Sequence, residues 1–159
     1  MRTIALALAL TLPGLVQAED FSSAMLKGAD LSGNDYAGSD FSGAFLGEAD
    51  LSGSTFDGAN FKSALFTDAT MSGCSAKGAV FTSALLKNTD LSGCTLSGAD
   101  FTGAVLEGAT LAGADLTGAR FVSTILTGAD LTGATVKDTD FTDARLCGAT
   151  MPDGTPGPC

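Results

Sequence analysis

The sequence predicts an all-β fold, a parallel β-helix with four sides per coil, and three observations predict it. An apolar or aromatic residue recurs every five residues from Phe21 to Met151, without an insertion. From the centre Leu26 onward, the residue two positions before each centre is small, and the residue two positions after a centre is mostly glycine. Every twentieth residue from Phe21 is again phenylalanine. Such a regular internal period is typical of solenoid proteins.

The first residues of the chain lie outside this repeat. They combine a basic start at Arg2, an apolar run over residues 4–12 and small residues leading to Ala18. This order predicts a secretory signal peptide over residues 1–18, cleaved after Ala18. The apolar run is shorter than the roughly 20 residues that cross a membrane. We therefore expect no stable membrane anchor, and a mature periplasmic or secreted protein that begins at Glu19.

The mature chain is strongly acidic. Loss of Arg2 leaves seven basic residues against 18 acidic ones, a formal charge of −11. This charge favours basic partners and opposes binding to nucleic acid or to an anionic membrane, so we expect no nucleic-acid partner. The remaining length is that of one ordinary domain.

Each five-residue unit reads as one short side and one corner. The centre and the small residue two positions before it point the same way along an extended backbone, so both are expected to face the interior. The glycine after the centre fits a turn that needs a positive φ. Corners after the phenylalanine column depart from glycine most often, which predicts a turn without positive φ there. These corners are Ser23, Ser63, Ser83, Ser123 and Asp143.

The twenty-residue period sets the number of sides at four. A spacing of roughly 4.8 Å between coils gives about six and a half coils, a rod on the order of 30 Å long. The β-helix is predicted over residues 19–151. Its phenylalanine column should form a buried core ladder of stacked rings. The members of the ladder are Phe21, Phe41, Phe61, Phe81, Phe101, Phe121 and Phe141.

Runs such as Ala99-Asp100-Phe101-Thr102-Gly103 and Ala129-Asp130-Leu131-Thr132-Gly133 resemble the pentapeptide-repeat proteins. The resemblance covers residues 21–151. It implies a right-handed quadrilateral β-helix whose central and small residues point inward and whose other three residues point outward. The handedness comes from the resemblance alone.

Two cysteines occupy the small inward position of the fourth side. Cys74 and Cys94 are twenty residues apart, so their Cα atoms should lie one coil step apart, which a disulfide accepts. We predict a bridge between them. In the alternative interpretation each thiol replaces alanine as a small buried residue.

The other two cysteines frame the end of the chain. Cys147 should face outward, and Cys159 ends a tail rich in proline and glycine over residues 152–159. We predict that the tail folds back to form a Cys147–Cys159 disulfide and covers the edge of the last coil, as repeat arrays require. The N-terminal edge at Phe21 shows no comparable cap in the sequence.

The sequence offers little material for catalysis. It contains no histidine or tryptophan, and its serines and threonines have no base beside them. The outward columns of aspartate are expected to be solvated on flat faces, and interruptions by residues such as Asn60 and Thr70 weaken a calcium site. We predict no enzyme, and no catalytic, cofactor-binding or metal-binding residues.

One outward column differs from the others. The residues directly before the second-side centres are apolar, whereas other sides mostly have Asp, Asn or Thr there. This apolar stripe is predicted to be an interaction surface, for a second copy of the chain or an envelope protein. Alternatively, its residues only stack on one another along the ladder. The stripe consists of Met25, Phe45, Leu65, Leu85, Val105 and Ile125.

The hypothesis for function is a non-enzymatic, exported scaffold that acts structurally or binds a protein in a bacterial periplasm or outside the cell. The first alternative is an acidic mimic of DNA that binds a topoisomerase, which the resemblance to gyrase-binding pentapeptide proteins of quinolone resistance implies. The export signal and the missing projecting loops weigh against it. The second alternative is an envelope enzyme of unknown type, which would require a concave site.

Overall fold

The structure, a computed structural model, describes residues 18–159. The predicted signal peptide falls on residues 1–17, which lie outside the described residues, and on Ala18. No helix among residues 18–159 has the length and apolar character needed to cross a membrane.

The chain of residues 18–159 winds as a four-sided parallel β-helix, as the sequence predicts. Parallel bridges join residues twenty apart, from Asp20 with Asp40 to Asp130 with Thr150, and four such positions recur in each coil. Each bridge is one residue long, so no extended strand or helix forms among the described residues. The sides are therefore shorter than ordinary strands, because corners leave room for only one paired residue.

Backbone hydrogen bonds connect each coil to both neighbours. A centre donates its amide to the next coil, as Phe41 does to the Asn60 carbonyl at 2.7 Å. The residue before a centre donates to the previous coil, as Phe45 does to the Ala24 carbonyl at 2.9 Å. Such pairing satisfies backbone groups that would otherwise be buried without partners.

The prediction for the corners after the phenylalanine column is wrong. All five non-glycine corners there have positive φ, between 54° at Ser123 and 57° at Ser63. In all units but one the centre carbonyl accepts a bond from the amide three residues on, and most corner amides donate to the next coil, as Ser63 does to Thr82 at 3.0 Å. The exception is the amide of Asn34, which donates to Ser54 Oγ at 3.1 Å. The common pattern is that of a type II turn, whose third residue needs positive φ. Stacking fixes the conformation whichever residue occupies the corner.

The interior consists of stacked inward columns. Phenylalanine rings in successive coils lie 4.6 to 5.3 Å apart and nearly parallel, forming one stack from Phe21 to Phe141. The five rings from Phe41 to Phe121 are fully buried, whereas Phe141 at the last coil is only half-buried. Asn34, in a small inward position, is exposed instead, and its amide nitrogen donates 2.8 Å to the Ser32 carbonyl.

Hydroxyl groups in the inward small position are satisfied by the coil before. Ser54 donates to the Leu31 carbonyl at 2.8 Å, and Thr124 donates to the Phe101 carbonyl at 2.8 Å. These carbonyls belong to centres and lie inside the core. Because each hydroxyl donates a hydrogen bond to one of them, burial of its oxygen costs little free energy.

The C-terminal tail folds back on the last coil. Pro156 pairs antiparallel with Thr150, and the Gly157 amide donates to the Ala149 carbonyl at 2.8 Å. A Cβ atom at Gly157 would collide with the Leu146 carbonyl, so this close approach requires glycine. Cys147 and Cys159 are joined, with sulfur atoms 2.05 Å apart. The tail thereby covers part of the edge, in the position predicted for a cap.

The two cysteines of the fourth side meet inside the core as thiols. Their Sγ atoms lie 2.6 Å apart, and Cys94 also contacts the Met71 carbonyl at 2.9 Å. The hydrogen bond with Cys94 and burial raise the pKa of the Cys74 thiol. The structure contains no bond between them, so the Cys74–Cys94 disulfide stays a prediction.

Candidate functional site

The residues of the apolar stripe form one continuous column on the second side. Each member makes a parallel bridge with the next, beginning with Met25 to Phe45 and ending with Ile125 to Arg145. The column points outward because each member directly precedes an inward centre. The structure therefore brings together all six predicted residues of the stripe.

Exposure is uneven along the stripe. Met25 is 73% exposed, Phe45 41% and Leu65 36%, and these are the exposed large hydrophobic residues of the described chain. Leu85, Val105 and Ile125 are half-buried. The N-terminal half of the stripe thus carries most of its accessible apolar surface.

A shallow concavity of about 280 Å³ lies along these three exposed side chains. We call it the apolar notch. Its rim is formed by corner residues of the same side. The notch is lined by Met25, Lys27, Phe45, Gly47, Glu48, Leu65, Thr67 and Asp68.

Gly47 opens the centre of the notch. It occupies the position between the centre Leu46 and the corner residue Glu48, and equivalent positions in other coils carry side chains such as Lys27, Thr67 and Lys87. Its φ lies outside the left-handed region, so the turn does not require glycine there. A Cβ atom at this position would lie 3.4 Å from the Thr67 carbonyl oxygen, an ordinary contact. The missing side chain therefore creates space without serving the backbone.

Charged groups border the notch. Lys27 Nζ lies 3.0 Å from Glu48 Oε1, and both side chains are more than half exposed. Asp68 accepts a hydrogen bond of 3.0 Å from the Asn88 amide nitrogen. The rim thus carries two carboxylates and one ammonium group, and the ammonium is already paired with Glu48.

The outward aspartates hold turns together. Asp130 accepts hydrogen bonds from the Thr132 hydroxyl and from the Thr132 amide, at 2.5 and 2.9 Å. The hydroxyl bond is the larger cause, and the two together lower the pKa of Asp130. The same arrangement, with the same order of causes, lowers the pKa of Asp115 through Thr117. These carboxylates are anionic structural acceptors rather than candidate bases.

Elsewhere the aspartate columns are interrupted. Arg120 stands in the first-side column and lies 3.2 Å from Asp100. Within residues 18–159, no three His, Cys, Asp or Glu residues lie together as ligands for a metal ion.

The notch itself was not predicted from the sequence. Its signal was present, because Gly47 departs from the charged or polar residues that precede the corners in the same column. In a chain where glycine commonly marks corners, one further glycine does not stand out. Only its position, one residue too early for the corner, distinguishes it.

Comparison with known proteins places this architecture among pentapeptide repeats. The pentapeptide repeat region model matches residues 48–121, and the model of pentapeptide repeats in eight copies matches residues 20–53 and 124–153. No curated protein sequence matches the chain.

Several solved structures are similar. A pentapeptide repeat protein from the Arabidopsis thaliana thylakoid lumen is 33% identical, with a TM-score of 0.51, covering 68% of this chain and 72% of that one. Full-length QnrB1, a plasmid-mediated fluoroquinolone resistance protein, is 20% identical, with a TM-score of 0.56, covering 85% of this chain and 83% of that one. At this identity the likeness to QnrB1 shows the fold alone.

Proposed function

This chain belongs to the pentapeptide-repeat family, and from that premise we propose that it is a non-enzymatic, exported scaffold that binds another protein through its apolar stripe. Family membership also implies a right-handed coil, which the resemblance alone leads us to expect. The observation that carries the proposal is the exposure of Met25, Phe45 and Leu65 in one continuous column. Apolar patches of this kind are typical of interaction sites on soluble proteins.

A scaffold fits the surface better than an enzyme does. The carboxylates at Asp30, Asp130 and Asp140 accept bonds from the residue two positions on, and each of these bonds lowers the carboxyl pKa. A general base needs a pKa near the working pH and a position in a cleft. The aspartates on these flat faces have neither property.

Export is supported by three independent features. The sequence carries a predicted signal peptide ending at Ala18. The Cys147–Cys159 disulfide suits an oxidising compartment. The similar protein from the thylakoid lumen occupies a compartment that is reached across a membrane. A periplasmic or secreted location is therefore part of the proposal.

The occupant of the stripe is either a second copy or a different protein. A two-fold axis would let the stripe pair with itself. However, two copies would bring together surfaces with an excess of acidic residues, 18 against seven basic ones in each mature chain. Like charges oppose such contact. We therefore favour a partner protein with a basic surface.

The acidic surface does not favour the DNA-mimic alternative. Val80 and Arg120 interrupt the first-side column of aspartates, and Arg120 pairs with Asp100. A mimic of the phosphate backbone would require a continuous row of negative charge. Experiment can distinguish binding to a topoisomerase from the exported scaffold, since a topoisomerase-binding protein must be cytoplasmic.

The test is chemical crosslinking of the envelope fraction of producing cells. Lys27 and Lys87 flank the stripe, so an amine-reactive crosslinker can join them to a nearby amine of the protein that covers it. We expect the processed chain outside the cytoplasm, in an adduct that the double variant Phe45→Asp, Leu85→Asp abolishes. Asp is compatible with this outward position, because Asp40 occupies it on another side.

The matched control is the double variant Thr55→Asp, Thr95→Asp, which changes the same outward position on the fourth side. It should retain the adduct. Equal crosslinking of both double variants and the original protein would refute docking through the stripe, and an unprocessed cytoplasmic chain would refute export.

A further inference from the structure

The apolar notch is too small for a typical small-molecule ligand. Its volume is about 280 Å³, below the range of roughly 300 to 1,000 Å³ of ligand pockets. It is also open along one side of the rod, between the exposed side chains of Met25 and Leu65. This size and shape suit one side chain of a longer polypeptide.

The notch is lined in part by the apolar side chains of Met25, Phe45 and Leu65, and Gly47 adds no side chain to it. Phe45 lies between Met25 and Leu65 in the bridge ladder, so the three form a continuous apolar wall. A side chain at Gly47, like those of Lys27 and Thr67 in adjacent coils, would partly fill the space. Because the Gly47 backbone conformation does not need glycine, the fold does not require the side chain to be missing here. The effect of its absence is on the surface, where it leaves the notch open.

The charges around the notch indicate the flanks of the occupant. Residues 19–70, which contain the notch, include nine acidic residues and two basic ones. One of those two, Lys27, is paired with Glu48. Residues 71–159 contain nine acidic residues and five basic ones. The negative charge is therefore most in excess where the stripe is most exposed.

On the basis of the proposed function, we propose that the notch receives one large apolar side chain from a basic segment of the partner protein. The apolar side chain displaces water from Phe45 and Leu65, which supplies the affinity. Lysine or arginine residues next to it in the partner pair with Asp68 and Glu48 at the rim. These exposed pairs contribute mainly to orientation and association rate.

The proposal predicts a salt-dependent interaction that requires both components. An acidic segment would meet like charge at the rim, and a basic segment without a large apolar residue would find only screened, solvent-exposed charges. Selectivity for the combination distinguishes this surface from a generally sticky apolar patch.

The test uses three synthetic peptides and the full protein labelled with ¹⁵N. The first peptide is Gly-Lys-Leu-Arg-Gly, the second replaces its leucine by alanine, and the third replaces both basic residues by glutamate. We expect the first peptide to shift the amide signals of Phe45, Gly47 and Leu65. Loss of the leucine should weaken its binding about tenfold, and the glutamate peptide should also bind more weakly than the first, because its carboxylates meet like charge at the rim.

A variant of the protein provides the second arm. Gly47→Thr introduces the residue type that Thr67 has at the equivalent position of the next coil. This substitution should weaken binding of the first peptide about tenfold. Ala112→Thr makes a comparable change at the same position of the third side, where Thr132 follows in the next coil. It should leave binding unchanged.

Equal shifts with all three peptides, shifts outside the notch, or no shifts at all would overturn this inference. Each result leaves the proposed function open to its own test, because crosslinking at the stripe needs only an amine of the occupant within reach and does not require an apolar side chain in the notch. If crosslinking depends on Phe45 and Leu85 while the peptides fail, the scaffold proposal stands and the basic occupant is wrong.

Discussion

The rings of Phe81 and Phe101 lie 4.7 Å apart and within 5° of parallel, although twenty residues separate them in the chain. Phe101 stacks equally closely on Phe121, at 4.7 Å. Offset stacking at this separation is favourable, and each ring excludes water from its neighbours. The circuit of twenty residues therefore places like side chains in one file, and the same register creates the apolar stripe outside.

Substitution of a central ring should destabilise the protein strongly. Phe101→Ala should lower the free energy of unfolding by about 3 to 5 kcal/mol, because the stacked coils cannot collapse into the cavity. Phe141→Ala should cost less, since that ring is half-buried at the end of the stack. Urea denaturation followed by circular dichroism measures both. Equal losses would show that the file of rings is not the source of stability.

Two glycines in one region of the rod should respond in opposite directions. Gly53 has a φ of 64° with open space around its Cβ position, so Gly53→Ala should cost about 1 to 2 kcal/mol through backbone strain alone. Gly47→Ala should instead stabilise by about 0.4 to 1 kcal/mol, by restricting the unfolded chain. Thermal unfolding of the two variants measures this difference. A loss of stability in Gly47→Ala would mean that the backbone at position 47 does need glycine.

The pKa of Asp130 should depend on the Thr132 hydroxyl. Thr132→Val removes the larger cause of the lowered pKa, so the value should rise toward 3.8. An NMR titration of the side-chain carboxyl group measures it. Thr117→Val is the control: it should raise the pKa of Asp115 and leave Asp130 unchanged.

The same pKa shifts define how stability varies with pH. Because the folded carboxyl groups have pKa values below 3.8, their contribution is complete above that pH and is lost as pH falls through the lower folded values. Thr132→Val should make the protein less sensitive to acid in that window. Unchanged acid unfolding, together with an unchanged pKa of Asp130, would contradict the hydrogen-bonding explanation.

The thiols of Cys74 and Cys94 should be oxidised in the protein isolated from its compartment. Their alignment in successive coils favours a disulfide, and closure of the intervening loop would stabilise the fold by about 3 kcal/mol. Alkylation after denaturation without reductant should leave both unmodified, whereas the variant Cys74→Ala should expose Cys94 to modification. Modification of both cysteines in the original protein would mean that they serve as small buried residues.

Much of the fold could be predicted because the twenty-residue period alone determines which residues stack. The spacing of Phe21, Phe41 and Phe61 specifies which residues stack, and the structure has them in one file. The alternation of inward and outward residues then places the stripe on the second side. Neither conclusion requires knowledge of long-range contacts, since each coil touches only its neighbours.

Other features depend on geometry that the residue pattern does not contain. Ser63 and Ser123 read as corners without positive φ, because serine disfavours it, yet stacking imposes it. The position of Asn34 in the repeat predicts an inward side chain, but the first coils are open enough for it to face solvent. The difference in exposure between Met25 and Ile125 also depends on the side chains around each of them, and not on the repeat period.

The most direct test of the central claim is photo-crosslinking from within the stripe in living cells. A benzophenone amino acid replaces Phe45 in one variant and Thr55, at the equivalent outward position of the fourth side, in another. Docking through the stripe predicts one covalent adduct from position 45, lost when Leu65→Asp is added, and none from position 55. Adducts of equal yield from both positions, or from position 55 alone, would contradict docking through the apolar stripe.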